Sequence, residues 1–168
     1  MLVRLRLAQK ILAAFLLLFL TGCSTSGYPT LDTASEFWPS TETVKKAKKY
    51  FKNGSYGLAE QQYRLAVEKT PRNAEAWLGL AASYDQPRRF NLADKSYVMV
   101  RKLIGDRANV LNNMGYSYIL RSDLKKAKHT LLEAYSKDPD NSHILNNINI
   151  LNESLIENGR AVVVVKNS

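Results

Sequence analysis

The chain is poor in the residues that build redox, metal and covalent catalytic sites. Its 168 residues include one cysteine, Cys23, and two histidines, His129 and His143. A single cysteine excludes a disulfide within the chain, and neither histidine lies near a cysteine or carboxylate cluster at metal-ligand spacing. No glycine-rich phosphate loop precedes a predicted helix, and no Ser-His-Asp arrangement has an evident geometry. We therefore expect no metal, no cofactor and no enzymatic activity.

Long hydrophobic runs are also scarce, and the one that stands out lies at the start of the chain. Residues 11–20 are all apolar, and three basic residues precede them. This run is too short to cross a bilayer comfortably, and its layout is that of an export signal. The run leads into Leu20-Thr21-Gly22-Cys23, which resembles the lipobox of bacterial lipoproteins. In a lipobox the signal is cut before an acylated cysteine.

The resemblance implies that residues 1–22 are a lipoprotein signal peptide and that Cys23 carries palmitate and other acyl chains, which together anchor a protein stably. In this family an aspartate after the cysteine favours retention in the inner membrane, and here Ser24 occupies that position. The resemblance therefore implies an outer-membrane protein that faces the periplasm. An ordinary signal peptide with an unmodified thiol and an uncleaved anchor stay open as alternatives.

The chain is basic, with 24 Lys and Arg residues against 15 Asp and Glu residues. Three basic residues precede Cys23, so the part from Cys23 onward has 21 basic and 15 acidic residues and a net charge of +6. An exported protein meets anionic lipid, cell-wall polymer or acidic protein surfaces before it meets nucleic acid. We therefore expect a membrane contact through the lipid and no nucleic-acid partner.

The segment that follows Cys23 has no helical or strand periodicity. Residues 24–40 are rich in turn formers, which predicts a tether over residues 23–40. Phe37 and Trp38 are large apolar exceptions, and they could pack on the following helix as a hydrophobic staple or contact a partner. With 45% hydrophobic and 23% charged residues, the chain as a whole has the composition of one globular domain.

The remainder of the chain repeats with a period of 34 residues. Tyrosine recurs at positions 50, 84 and 118, and alanine recurs at positions 59, 93 and 127. The period and the residue types resemble those of the tetratricopeptide repeat (TPR), a helix-turn-helix unit. The middle repeat matches the pattern of that family at Trp77, Leu80, Ala81, Tyr84, Ala93 and Tyr97.

The resemblance predicts an all-α, right-handed solenoid of helical hairpins over residues 41–158, with repeats at about 40–73, 74–107 and 108–141 and a capping helix at 142–157. The first helix departs from the pattern, because Thr43 and Lys46 stand where the family buries apolar residues. The tail, 159–168, is rich in valine, and we expect disorder or packing against the last helix, with strand addition to a partner as the alternative. The predicted helices span 41–53, 56–69, 74–86, 90–103, 108–121, 124–136 and 142–157.

In such a solenoid the first helix of each repeat lines a concave groove. The groove residues mix amides, lysines and apolar groups, which suits an extended peptide, although a solvated helix face would have the same composition. The lysine and asparagine pattern by which some TPR proteins grip a chain terminus is not met at Val44, Lys48, Gly79, Asn112 and Tyr116. The candidate groove residues are Lys48, Phe51, Lys52, Leu78, Asp85, Asn109, Asn112, Tyr116, Ile119 and Asn146.

The lipobox, the short tether, the few repeats and the Asn112-Asn113 pair together resemble TadD-type lipoproteins of tight-adherence (Flp) pilus assembly. This resemblance implies a membrane-anchored, protein-binding scaffold that assists assembly of an envelope machine, with a secretin or another pilus-assembly component as its partner. Two other functions stay open: a scaffold for cell-wall or outer-membrane protein assembly, and a regulatory lipoprotein subunit of a periplasmic enzyme.

Overall fold

A computed structural model describes residues 39–165 of the chain. The predicted signal peptide, Cys23, and Phe37 and Trp38 of the tether lie outside the described residues. Between residues 39 and 165 the chain forms seven α-helices, and each of their boundaries falls within two residues of the predicted position. The helices are α1 (Pro39–Lys52), α2 (Tyr56–Lys69), α3 (Ala74–Asp85), α4 (Phe90–Ile104), α5 (Ala108–Leu120), α6 (Leu124–Lys137) and α7 (Ser142–Glu157).

The helices pack as three hairpins followed by a cap. The most extensive contacts join α1 to α2, α3 to α4 and α5 to α6, and α7 packs on both helices of the third hairpin. The first helices also contact one another in the order α1, α3, α5 and α7, whereas the described second helices α2, α4 and α6 do not. Because neighbouring first helices lie closer together than neighbouring second helices, the first helices form the concave side of the stack. The predicted helical-hairpin solenoid is thus confirmed.

The turn inside each hairpin has the same geometry in all three repeats. Gly54, Arg88 and Ser122 lie 34 residues apart, and their φ angles are +75°, +60° and +61°. In each turn the amide of this left-handed residue donates to a carbonyl three residues earlier, and the next amide donates to a carbonyl five residues earlier. These hydrogen bonds occupy carbonyls that the end of a helix would otherwise leave unpaired.

Side-chain caps begin three of the helices. Asn73 Oδ1 accepts a hydrogen bond from the amide of Ala76 at 3.0 Å before α3, and Asn141 Oδ1 accepts from the amide of His143 at 3.1 Å before α7. Asparagine is a favoured residue at this position, because its side-chain oxygen can accept a hydrogen bond from an amide of the first turn. Asp123 plays the same role before α6.

The core consists of small residues at the helix crossings and large residues between the repeats. Ala59, Ala93 and Ala127, at the second-helix crossings, are fully buried. The buried residues form two clusters: one lies in the first two repeats, and the other lies in the third repeat, the capping helix and the tail. In α1 the buried face is formed by Val44 and Ala47, one residue later than Thr43 and Lys46, so the helix that departed from the family pattern still has an apolar face.

The described part of the tail packs against the capping helix in an extended conformation. Asn152 of α7 holds Val163 with two hydrogen bonds: its Nδ2 donates to the Val163 carbonyl at 2.9 Å, and its Oδ1 accepts from the Val163 amide at 2.7 Å. Val163 is 7% exposed, whereas its neighbour Val164 is 87% exposed. Packing against the last helix is therefore confirmed for this part of the tail. None of the helices in residues 39–165 has the length and apolarity needed to cross a membrane.

Candidate protein-binding groove

The concave side carries one continuous groove made of three adjoining concavities. Their volumes are about 430, 350 and 300 Å³ from the first repeat toward the capping helix. Asn113 of α5 lines all three, while Phe51 and Ala82 are shared by the first and the second. The sharing of these residues makes the three concavities a single surface along α1, α3, α5 and α7.

The first concavity is mainly apolar. Phe51, Leu78, Ala82 and Ile104 contribute its carbon surface, and Lys48 and Glu75 lie at its edge as an exposed ion pair. Tyr63 of α2 also lines it, packed under Gly79. Burial and the nearby Glu75 carboxylate raise the pKa of the Tyr63 hydroxyl to about 12. This end of the groove is suited to an apolar side chain.

The second concavity combines aromatic rings, amides and one carboxylate. Its lining includes Phe51, Asp85, Tyr97, Tyr116 and Ile150, with amide side chains around them. None of the residues that line it is lysine, arginine or histidine. In a basic chain, this part of the groove therefore has the opposite electrostatic character to most of the surface.

Asp85 lies at the floor of the second concavity and is only 2% exposed. The Tyr97 hydroxyl donates to its Oδ2 at 2.8 Å, and the Ser117 hydroxyl donates to its Oδ1 at 2.6 Å. Burial raises the pKa of Asp85 above its ordinary value of 3.8, although these two hydrogen bonds and Arg121 act in the opposite direction. Both carboxylate oxygens thus accept a hydrogen bond, but the two donors are neutral hydroxyl groups that do not cancel the negative charge.

Arg121 lies near Asp85 but pairs chiefly with another carboxylate. Its Nη1 and Nη2 donate to the two carboxylate oxygens of Asp94 at 3.0 and 2.9 Å, while its Nη2 lies 3.8 Å from Oδ1 of Asp85. The guanidinium also packs over the rings of Phe90 and Tyr118. Nη2 also donates to Ser117 Oγ at 2.6 Å, so the guanidinium lies between the two carboxylates and makes its closer, bidentate pair with Asp94.

The third concavity is rich in amides contributed by α5 and α7. Asn109, Asn112, Asn113, Asn146 and Asn147 line it, together with His143. Asn147 Nδ2 donates to Asn112 Oδ1 at 2.9 Å, which joins the third repeat to the capping helix. Asn113 Nδ2 donates to the Asn109 carbonyl at 2.8 Å within α5. Some of these amides therefore hold the fold together, and exposed Asn109 and Asn146 present polar groups to the groove.

The structure brings eight of the ten predicted groove residues to this surface. Lys48, Phe51, Leu78 and Asn109 line the first concavity, and the second and third add Asp85, Asn112, Tyr116 and Asn146. Lys52 and Ile119 line none of the three: Lys52 is exposed at the end of α1, and Ile119 packs against the core of the third repeat.

Two details of the groove differ from the sequence-based expectation. Asp85 and Asn112, expected to face a ligand, are 2% and 8% exposed because each makes a hydrogen bond to the next structural unit. Asn113, which all three concavities share, was not among the candidates. The Asn-Asn pair was the available signal, but the period of 34 does not show which asparagine of the pair faces the groove.

The positions that grip a chain terminus in some TPR proteins are occupied differently here. Val44 is buried in the core, and a side chain at Gly79 would collide with the ring of Tyr63. Lys48 is paired with Glu75, and Asn112 is bonded to Asn147. The structure therefore gives a physical reason for the mismatch noted in the sequence: these positions serve packing and inter-repeat contacts.

The described residues offer no metal-binding chemistry. Within residues 39–165 no group of three His, Cys, Asp or Glu side chains is placed to hold a metal ion. His129 and His143 are both exposed.

Comparison with solved structures identifies the architecture. The chain resembles the first TPR domain of human RPAP3, with a TM-score of 0.62 and 20% identity over 71% of this chain and 94% of that one. The chain has the tetratricopeptide-repeat fold. The Sgt2 TPR domain from Aspergillus fumigatus gives a TM-score of 0.61 at 14% identity, covering 85% of this chain and 91% of that one. Another neighbour is the first TPR of Spaghetti (RPAP3) bound to an HSP90 peptide. Stacked helical hairpins of this kind form extended concave surfaces.

A bacterial relative extends the resemblance to the sequence level. The chain is 28% identical over 137 residues to the type IV pilus assembly protein PilF of Pseudomonas aeruginosa, which covers 79% of this chain and 54% of that protein. A solved structure of Pseudomonas aeruginosa PilF gives a TM-score of 0.60 at 24% identity, over 72% of this chain and 54% of that one. The chain thus spans about half the length of this relative. A comparison with protein-family models finds no match for the chain.

Proposed function

We propose that this protein is a lipid-anchored scaffold of the bacterial envelope whose groove holds an extended segment of a pilus-assembly component such as a secretin. The observation that carries the proposal is the continuous groove along four helices of a chain that resembles a pilus-assembly protein over 137 residues. A scaffold of this kind would act in the manner of a pilotin, by holding its partner while the partner is delivered or assembled.

The chemistry of the groove supports an extended peptide as the occupant. An extended peptide presents free backbone amides and carbonyls along its length, and it places alternate side chains on opposite sides. The exposed amides of Asn109 and Asn146 can hydrogen-bond such a backbone, while the apolar first concavity beside Leu78 accepts a side chain. A compact globular partner would need a broader and flatter surface than this groove provides.

The membrane anchor rests on the lipobox at Cys23, and the basic charge of α1 is compatible with attachment to a membrane. This helix follows the proposed tether directly, and it carries five lysines and one glutamate. Lysines close to an anionic membrane surface contribute about 1 kcal/mol each to attraction. An anchor at Cys23 would attach the protein to the outer membrane, facing the periplasm.

The test is complementation in the native host. Removal of the chain should reduce the amount of assembled pilus secretin in the outer membrane, and the wild-type chain should restore it. A Leu78→Glu/Tyr116→Glu variant, which places two charges in the groove, should fail to restore assembly. A Gln61→Glu/Lys95→Glu variant carries two new glutamates on α2 and α4, outside the groove, and should restore it. A Cys23→Ser variant should lose acyl label and membrane fractionation.

Three results would contradict parts of this proposal. Normal secretin assembly without the chain would contradict a role in pilus assembly, and a defect in cell-wall or outer-membrane protein assembly would then favour one of the other scaffold functions. Full complementation by the Leu78→Glu/Tyr116→Glu variant would contradict the assignment of the groove. Retained acyl label on the Cys23→Ser variant would contradict the anchor.

A further inference from the structure

The floor of the groove changes chemistry at the second repeat. Phe51, Asp85 and Ile119 are 34 residues apart and so occupy equivalent positions in the three repeats. The outer two positions carry apolar side chains, Phe51 in the groove and Ile119 against the core of the third repeat, and the middle one carries a carboxylate that is 2% exposed. Because an isolated buried charge is costly, a carboxylate at a position that is otherwise apolar calls for a compensating group.

The compensating groups within the fold leave a residual negative charge. Tyr97 and Ser117 supply neutral donors to Asp85. Arg121 makes its bidentate pair with Asp94, and its Nη2 lies at a longer 3.8 Å from Asp85 Oδ1, so one guanidinium is shared by two carboxylates. The cluster of Asp85, Asp94 and Arg121 therefore has two carboxylates and one guanidinium. The described domain as a whole has the opposite balance, with 20 lysines and arginines against 13 aspartates and glutamates in residues 39–165.

The second concavity above this cluster has the other features of a cation site. Tyr116 and Phe51 contribute half-buried rings, whose faces attract cations, and exposed Asn146 contributes an amide that can accept a hydrogen bond. Within residues 39–165 no basic side chain lines the concavity and competes for the site. Its volume of about 350 Å³ is ample for one long side chain.

From these observations we infer that the second concavity is a subsite for one lysine or arginine side chain of the bound segment. The cationic group lies above Asp85 and between the rings of Tyr116 and Phe51, and its aliphatic stem follows the apolar surface at Ala82. The adjoining first concavity then holds a neighbouring apolar side chain of the same segment. This inference rests on the proposed function, because it assumes that the groove binds an extended peptide.

The test uses the full-length protein in detergent and fluorescent octapeptides. The peptides have one fixed central residue, which is lysine, norleucine, acetyl-lysine or glutamate, and defined mixtures of alanine, leucine, serine and asparagine elsewhere. Norleucine and acetyl-lysine keep the aliphatic stem and remove the charge. Fluorescence anisotropy should show that the wild-type protein binds the lysine series about tenfold more tightly than the norleucine and acetyl-lysine series, with the glutamate series weakest.

Three variants locate the preference at this concavity. Asp85→Asn keeps the side-chain shape and should reduce the preference for lysine to about twofold or less. Because a change at a buried position can impair folding, Asn146→Lys provides a second variant: Asn146 is exposed, and a cation there should repel the lysine series. Asn149→Lys is its matched control, since Asn149 is exposed on the same helix and lines none of the concavities. It should retain the preference of the wild-type protein.

The outcomes separate this inference from the proposed function. Peptide binding with no preference for lysine over norleucine overturns the cation subsite and leaves the groove intact as a peptide site. A preference that survives in Asn146→Lys as fully as in Asn149→Lys also overturns it. An absence of binding by all four series overturns both the subsite and the peptide-binding groove.

Discussion

The hydroxyl of Ser117 donates a 2.6 Å hydrogen bond to Oδ1 of Asp85 and so joins the second and third repeats through a buried carboxylate. In this fold, repeats usually pack on one another through apolar contacts, and the two apolar clusters of this protein divide near this interface. A polar contact at the division makes the interface between the second and third repeats sensitive to the protonation of Asp85.

We predict that Asp85 makes the stability of the domain dependent on pH. Burial raises its folded-state pKa above 3.8, so the proton binds more tightly in the folded state than in the unfolded state. The stabilisation from this proton is fully present below about pH 3.8 and is lost as pH rises through the folded-state pKa. Asp85→Asn, which cannot ionise, should therefore gain stability relative to the wild type as pH rises across that range.

Urea unfolding followed by circular dichroism, at pH 4 and pH 7, measures this difference. Asp140→Asn is the matched control, because Asp140 is exposed in the turn before α7. The free energy of unfolding of this control should differ from that of the wild type by the same amount at both pH values. If the free energy of unfolding of Asp85→Asn also differs from that of the wild type by the same amount at both pH values, the role of Asp85 is contradicted.

The left-handed turn residues predict a stabilising substitution. Ser122 has a φ of +61° at the position where the first repeat has Gly54. A non-glycine residue in this region is strained by roughly 1 to 2 kcal/mol, and glycine adds an entropic cost of about 0.5 to 1 kcal/mol. Ser122→Gly should therefore raise the free energy of unfolding by about 0.5 kcal/mol. Ser136→Gly, within α6, should lower it, and equal losses from both substitutions would show that the turn is unstrained.

Gly79 predicts a specific steric coupling with Tyr63. A Cβ on Gly79 would collide with the buried Tyr63 ring, so Gly79→Ala should cost about 1 to 3 kcal/mol. Tyr63→Leu in the same chain should recover part of this loss, which a double-mutant cycle on thermal unfolding measures. Gly57→Ala, at a helical glycine with open space around it, should stabilise the protein by about 0.5 to 1 kcal/mol. Additive effects at Gly79 and Tyr63 would contradict the collision.

Asn152 predicts the behaviour of the tail. Its side chain makes both hydrogen bonds to the Val163 backbone, so Asn152→Ala should release this segment from α7. The Val163 amide should then exchange with solvent at least about tenfold faster, and the free energy of unfolding should fall by about 1 to 2 kcal/mol. Asn149→Ala, on the exposed side of α7, serves as the control. Unchanged exchange at Val163 would show that Val163 packing alone holds the tail.

The helices could be predicted closely from the sequence because three independent signals coincide. The period of 34 sets the register, caps such as Asn73 mark helix starts, and the spacing of Trp77, Leu80 and Tyr84 gives the buried face. The first helix was a partial exception: Ala47 is buried at the position equivalent to Ala81, whereas Val44 supplies the other buried side chain in place of Thr43 and Lys46. A family pattern gives the average register, whereas the side chains of each repeat determine which residue packs inward.

The groove could be predicted less fully, for a physical reason. Periodicity indicates the direction in which a residue points, but it does not show whether its polar group finds a partner in the next repeat. Asp85 and Asn112 point toward the groove, and each is bound by a residue at least 32 positions later in the chain, Ser117 and Asn147 respectively. Such contacts depend on the stacking angle between repeats, which the sequence of one repeat does not contain.

The most direct test of the central proposal is photo-crosslinking in the native envelope. A photoreactive phenylalanine analogue replaces Tyr116 in the groove, and in a matched protein it replaces Gln61 on α2, outside the groove. The proposal predicts that the Tyr116 position crosslinks to a secretin or another pilus-assembly component and that the Gln61 position does not. Crosslinking to that component from Gln61 alone, or no crosslink to any pilus component from Tyr116, would contradict it.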